Sequence, residues 1–194
     1  MRFPDFEAWK EYIHPIDRNK NLQQRYEYYR NKYDMLSEIE CSKMCEIGVR
    51  YGYSAISFLT AHPIAEYMGI DWISGEHGGV QEDTFRYVYP MLAKEFPEAV
   101  ISLVHANTQE MVSLPTNEFD FIHIDGDHTY EGAGWDMRIA WESLKHGGMM
   151  LIDDYKALKE IQHAVNDFII SRGDQIKQYN LVDTFRGDFR IWKT

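Results

Sequence analysis

The sequence predicts an α/β fold, a doubly wound and mostly parallel sheet that ends in an antiparallel hairpin and is preceded by N-terminal helices. Three observations predict it. From residue 42 onward, short apolar runs alternate with longer amphipathic stretches, the rhythm that places helices on both faces of a parallel sheet. The C-terminal segment breaks that rhythm with two strand-like runs flanking Arg186-Gly187, read as a hairpin on the sheet edge. Residues 4–40 show only polar, helical patterning.

In chain order, Pro4–Tyr12 reads as a short helix, broken at His14-Pro15, and Leu22–Ile39 as a second one. Buried strands are expected at Met44–Val49, Tyr67–Trp72, Val100–His105, Phe119–Asp125 and Met149–Asp153. Helices fill the intervals at Ser54–Ala61, Glu82–Phe96, Tyr130–Lys145 and Leu158–Ser171, and the hairpin pairs Lys177–Phe185 with Asp188–Trp192. No repeat or Pro/Gly/Ser-rich linker divides the 194 residues. The natural partition is a helical appendage over 1–40 and one larger domain over 41–194.

Composition excludes several classes of function. Lys and Arg number 20 against 31 Asp and Glu, a net charge of −11, which leaves no surplus of cations to displace counterions from nucleic acid. No stretch approaches the ~20 apolar residues of a membrane span. The N-terminus is charged where a signal peptide would be apolar, so a cytoplasmic location is expected. Cys41 and Cys45 make neither a disulfide framework nor a zinc site, and Cys45 reads as a packed thiol.

Between the first strand and first helix runs Glu46-Ile47-Gly48-Val49-Arg50-Tyr51-Gly52-Tyr53-Ser54. Gly48 and Gly52 let the backbone turn sharply and approach a ligand, and Ser54 is placed to cap the next helix. Asp71 follows Gly52 by 19 residues at the end of the second strand, about the separation at which an acid holds ribose hydroxyls in doubly wound folds. The third glycine of a dinucleotide fingerprint is absent, and so is the Gly-Lys-Ser/Thr of a P-loop.

This Glu-x-Gly-x-x-x-Gly-x-Ser loop with its following acid resembles the class I S-adenosylmethionine-dependent methyltransferases. The resemblance implies a seven-stranded sheet closed by a hairpin. It places Glu46, Gly48, Gly52 and Ser54 around the methionine part of the cofactor, Asp71 on the ribose and Trp72 against the adenine. Asn107 and Thr108 would reach the adenine from the other side.

A second constellation lies at the ends of the fourth and fifth strands, in Asp125-Gly126-Asp127-His128 and Asp153-Asp154. Parallel strands open on one edge, so four carboxylates are brought together, and their repulsion calls for a cation among them. Oxygen ligands of this kind suit a hard divalent ion such as Mg²⁺, Mn²⁺ or Ca²⁺; the alternative is that Asp127 caps a helix and Asp153-Asp154 form a solvated turn. The pattern resembles the metal-dependent O-methyltransferases, both the macrocin-type branch acting on antibiotic sugars and the catechol-type branch. By that resemblance Asp125, Asp153 and Asp154 are metal ligands, with Mg²⁺ the first choice. Asp127 matches the sugar branch's general base, while His128 falls where the catechol branch places a basic lysine.

The expected reaction is methyl transfer from S-adenosylmethionine to a hydroxyl of a small polyhydroxylated acceptor, sugar or catechol-like. A divalent cation would acidify that hydroxyl, and Asp127 or His128 would take its proton. A nicotinamide-dependent oxidoreductase and a cofactor- or metal-binding module without catalysis are the rival readings. His123, inside the fourth strand, reads as a satisfied core histidine, and His105 is likewise neutral. Tyr26, Tyr29 and Tyr33 share a helix face, for packing on the sheet or on a partner in a homodimer, or for lining an acceptor pocket.

Overall fold

The computed structural model describes residues 1–15, 17, 20–73 and 83–194. Residues 75–79 and Glu82, the expected start of the helix Glu82–Phe96, lie outside the described residues. In order, α1 (Phe6–Trp9) runs through a 3-10 turn (Lys10–Tyr12) towards α2 (Leu22–Ser37), followed by β1 (Lys43–Ile47), α3 (Tyr53–Ala61), β2 (Glu66–Asp71) and α4 (Phe85–Glu95). Then come β3 (Val100–His105), a 3-10 turn (Thr108–Glu110), β4 (Phe119–Ile124), α5 (Tyr130–Ser143), β5 (Leu144–Ile152), α6 (Lys159–Arg172), β6 (Ile176–Val182) and β7 (Asp188–Lys193).

The seven strands form one sheet in the order β3-β2-β1-β4-β5-β7-β6. The first five are parallel and β7 runs antiparallel between β5 and β6. Strand order reverses between β1 and β4, the crevice where doubly wound folds bind ligands. Strand residues alternate between two cores. Ile47, Ile124 and Ile152 pack with Met137, Trp141, Val165 and Phe168 of α5 and α6. Met44, Phe121, Met149 and Leu151 pack on the opposite face with Phe58, Leu59, Val88 and Leu92 of α3 and α4, and with Met35 and Leu36 of α2.

Several expected boundaries shift, most of all the start of β5, which is Leu144 and not Met149. The helix after β4 stops at Ser143, not Lys145, because Leu144 already pairs with Phe119 across a bulge. The hairpin's first strand stops at Val182, and residues 183–187 form a longer loop held by Thr184, whose Oγ1 accepts from the N–H groups of Gly187 and Asp188, each at 3.1 Å. Of the tyrosine face, Tyr26 and Tyr33 pack with Phe3, Phe6 and Trp9, which folds α1 back on α2. Both cysteines are free and Cys45 is buried. No helix among the described residues is long and apolar enough to cross a membrane.

Candidate active site

Register alone assembles the site. Ile47 pairs with Ile70 on one side and with Ile124 on the other, and Ile124 pairs with Ile152. The residues that follow these four buried isoleucines are Asp71, Gly48, Asp125 and Asp153. The ladder continues one step, with Gly48 N–H donating to Ile70 O (2.8 Å), Asp125 N–H to Ile47 O (2.8 Å) and Asp153 N–H to Ile124 O (3.0 Å). Four residues predicted from separate motifs thus stand in one row along the carboxyl edge of the sheet. They line a cavity of about 480 Å³, within the range of small-molecule sites.

At the β1–β2 end the wall is backbone. Gly48 has φ +90°, and a Cβ there would lie 1.9 Å from the carbonyl oxygen of Asp125, so the glycine loop and the β4 end touch through main chain alone. Gly52, at φ +76°, starts α3. Between them Arg50 also adopts a left-handed φ of 50°, which turns its N–H onto Asp71 Oδ2, while Trp72 N–H donates to Oδ1 at 2.7 Å. Burial raises the Asp71 carboxyl above its ordinary value, and the N–H donors oppose that rise. Each oxygen keeps a lone pair for a diol.

Of the other expected cofactor residues, Ser54, Trp72, Asn107 and Thr108 line the cavity. Asn107 also caps the 3-10 turn, accepting from Gln109 N–H at 3.0 Å. Ser54 does not cap α3; its hydroxyl donates to Glu46. Glu46 is fully buried behind the wall, where it also accepts from Tyr67 OH and meets His123 Nδ1 at 2.9 Å. Its place on the strand explains this: period 2 puts Glu46 and His123 on the same face as Gly48 and Asp125, one step deeper.

At the β4–β5 end the wall is charge. Asp125, Asp127, His128, Asp153 and Asp154 all line the cavity. His128 Nε2 lies 3.2 Å from Asp125 Oδ1 and 3.5 Å from Asp154 Oδ2. The hydrogen bond to Asp125 raises the His128 pKa, and burial together with the charge of Asp153 raises Asp125 to about 6. Asp127 accepts from Thr129 N–H (2.8 Å) just ahead of α5, so it is not the helix cap that one expectation made it. Thr129 itself is the cap, accepting from Gly132 N–H at 3.0 Å.

Asp153 and Asp154 are bound by cations of the chain itself. Asp154 sits in a left-handed turn (φ 64°) and meets Arg186 from the hairpin loop through both oxygens. Asp153 accepts from Tyr28 OH and from Asp154 N–H (2.6 Å), and its other oxygen lies 3.3 Å from Lys32 Nζ. Burial alone would raise the Asp153 carboxyl; Lys32, His123 and Tyr28 hold it well below the usual range. Sequence reasoning missed Tyr28 and Lys32 of α2, and missed Asp188, which β5–β7 pairing brings level with Asp153. Tyr29, by contrast, lines the cavity, as one reading of the tyrosine face expected.

The residues present do not fit the expected divalent-ion site. Among the described residues, acidic and histidine ligand atoms converge in two groups, Asp125-His128-Asp154 and His123-Asp153-Asp188, neither of which is the expected trio. Arg186 holds both oxygens of Asp154 in the first, and Lys32 Nζ sits among the members of the second. A cofactor with a ribose and an adenine, by contrast, fits the row from Asp71 to Gly48.

The sequence matches a family described as "Methyltransferase domain" over residues 45–155, more than half of the chain. It is 25% identical over 135 residues to an uncharacterized protein of Acanthamoeba polyphaga mimivirus, a match covering 64% of this chain and 58% of that protein's length. The fold superposes on an S-adenosylhomocysteine-bound methyltransferase of Podospora anserina with TM-score 0.68 at 16% identity, covering 99% of this chain and 89% of that one. It also superposes on the O-methyltransferase TomG of Streptomyces achromogenes, involved in tomaymycin synthesis and solved with S-adenosylmethionine, with TM-score 0.64 at 14% identity over 100% and 91% of the two chains. With its glycine loop, its terminal hairpin and a matched segment running from β1 past the end of β5, the chain belongs to the methyltransferase-domain family and has the class I S-adenosylmethionine-dependent methyltransferase fold.

Proposed function

We propose that this protein transfers a methyl group from S-adenosylmethionine to a hydroxyl oxygen of a small acceptor. The observation that carries the reading is the row Asp71-Gly48-Asp125-Asp153, which sets a ribose-holding acid and a proton-accepting pair on one cavity. Bound S-adenosylmethionine supplies an electrophilic methyl on a sulfonium: the S–CH₃ bond breaks as the O–CH₃ bond forms. Asp71 holds the ribose and the glycine loop leaves room for the methionine part. His128, held by Asp125 through Nε2–H, has Nδ1 left to accept the hydroxyl proton. Asp127 is the lesser candidate, since one of its oxygens is already committed to Thr129 N–H. A sugar or catechol-like acceptor fits the tyrosine-lined end beside Tyr28 and Tyr29. The divalent ion expected from the acids enters no step here, because Lys32 and Arg186 already bind Asp153 and Asp154, two of the three carboxylates it would need.

The test is calorimetric titration with S-adenosylmethionine and with NAD, followed by mass-spectrometric detection of methylated product over a panel of sugars and catechols. Binding of NAD and not of S-adenosylmethionine restores the oxidoreductase reading. Binding without turnover on any acceptor restores the binding module. A proton-accepting His128 must be neutral, and its pKa is raised by Asp125. Thus kcat/KM rises with pH to a midpoint above the ordinary imidazole value of about 6.5. Asp125→Asn moves that midpoint downwards; an unmoved midpoint assigns the proton to another group.

A further inference from the structure

The Lys32 side chain is fully buried, as are His123 and Asp188, and Asp153 nearly so. Its ammonium has three N–H donors and three acceptors in reach: Asp188 Oδ1, Asp153 Oδ2 at 3.3 Å and His123 Nε2 at 3.2 Å. An ammonium cannot accept, so His123 carries its proton on Nδ1 and gives it to Glu46 Oε1 at 2.9 Å. The Tyr28 ring lies 4.7 Å from the same Nζ. The ammonium is hydrogen-bonded to Asp188 and His123 and ion-paired with Asp153. The cation is therefore built in, reaching a place where three ligand atoms of the kind that hold divalent ions lie within 4.8 Å of one another.

We propose that the Lys32 ammonium, with the Arg186 guanidinium beside it on Asp154, permanently occupies the place of the divalent ion at this site, so that Lys32 is a positioning residue and the protein needs no resident metal. An alcohol acidified by a metal ion would here be deprotonated by the His128-Asp125 pair alone. Lys32 acts by neutralising Asp153 and by fixing the Tyr28 hydroxyl that Asp153 accepts. It also ties α2 to the end of the sheet, since its partners lie on β4, on β7 and just after β5.

The inference deepens the methyl-transfer reading and rests on it for its catalytic meaning, but the experiment reads metal binding without turnover. Chelator-treated full-length protein is titrated with Mn²⁺, free Mn²⁺ being followed by electron paramagnetic resonance, beside the Lys32→Met variant. The wild type is expected to show no stoichiometric site and no change in melting temperature with Mn²⁺. Lys32→Met, which vacates the space between His123, Asp153 and Asp188, is expected to gain a one-to-one site at least about tenfold tighter than any wild-type binding, with a melting temperature that rises with Mn²⁺. A wild-type one-to-one site that Asp125→Asn, Asp153→Asn or Asp154→Asn abolishes overturns the proposal, as does a folded Lys32→Met that gains nothing. If Lys32→Met does not fold, the wild-type titration decides in the same two senses. Failure to methylate any acceptor, with these metal results as expected, would overturn the functional reading while leaving Lys32 in the ion's place.

Discussion

The two ends of the cavity are made of different materials. At the β1–β2 end the ligand-facing surface is backbone: left-handed turns at Gly48, Arg50 and Gly52, with two N–H groups aimed at Asp71. At the β4–β5 end it is a balance of side-chain charges drawn from α2, the strand ends and the hairpin loop, with Lys32 and Asp188 separated by 156 positions. The first end is a shape that an added atom spoils, and the second is a set of ion pairs that a removed charge spoils. They therefore fail differently under mutation.

The largest effect is expected from Gly48→Ala. The new Cβ would lie 1.9 Å from the Asp125 carbonyl and the φ of +90° would remain forced, so the loop must leave the β4 end. A stability loss of about 3–5 kcal/mol is expected, read as a fall in the denaturation midpoint, together with loss of S-adenosylmethionine binding. If Gly48→Ala keeps both, the backbone account of this end is wrong. A smaller and more selective effect belongs to Asp71→Ala, which leaves the backbone turns in place and removes the carboxylate. Cofactor affinity should fall by about 10- to 100-fold, the scale of a charge-assisted hydrogen bond, with little change in folding. An equal loss in both quantities would mean that Asp71 holds the loop and not a ligand.

That contrast also explains what the sequence let one read. The β1–β2 end is local: glycines, a following acid and alternating apolar runs lie within a few dozen residues, and strand register does the rest by aligning the four isoleucines. The charge end was legible only in part. Asp125, Asp153 and Asp154 stand at strand ends and were foreseen as neighbours, but their partners lie far away in the chain. Lys32 lies in a polar helix and looks like a solvated residue. A signal did exist, because Met35 and Leu36 are buried, and following their stripe back by helical spacing lands on Lys32 and Tyr28. Ser54 illustrates the opposite error. Its position suggested a helix cap, but the helix starts at a glycine with a left-handed turn, which frees the hydroxyl for buried Glu46.

The smallest predicted effect tests the seam between the two ends. Asp136 of α5 is fully buried, accepts from Gln109 Nε2 at 3.2 Å, and lies where a Cβ on Gly126 would come within 2.6 Å of its Oδ2. Burial raises its carboxyl to about 7, against weaker opposition from Thr108 and the Asp127 N–H. The folded state then binds more protons than the unfolded chain between about pH 4 and pH 7, so this residue makes stability fall as pH rises through that window. Asp136→Asn keeps the shape and removes the titration. The variant's stability relative to wild type should therefore improve by about 1 to 2 kcal/mol between pH 5 and pH 6, measured by chemical denaturation at both values. A constant difference across that range would mean that Asp136 is charged throughout and that the seam, like the β4–β5 end, contains a cation to match it.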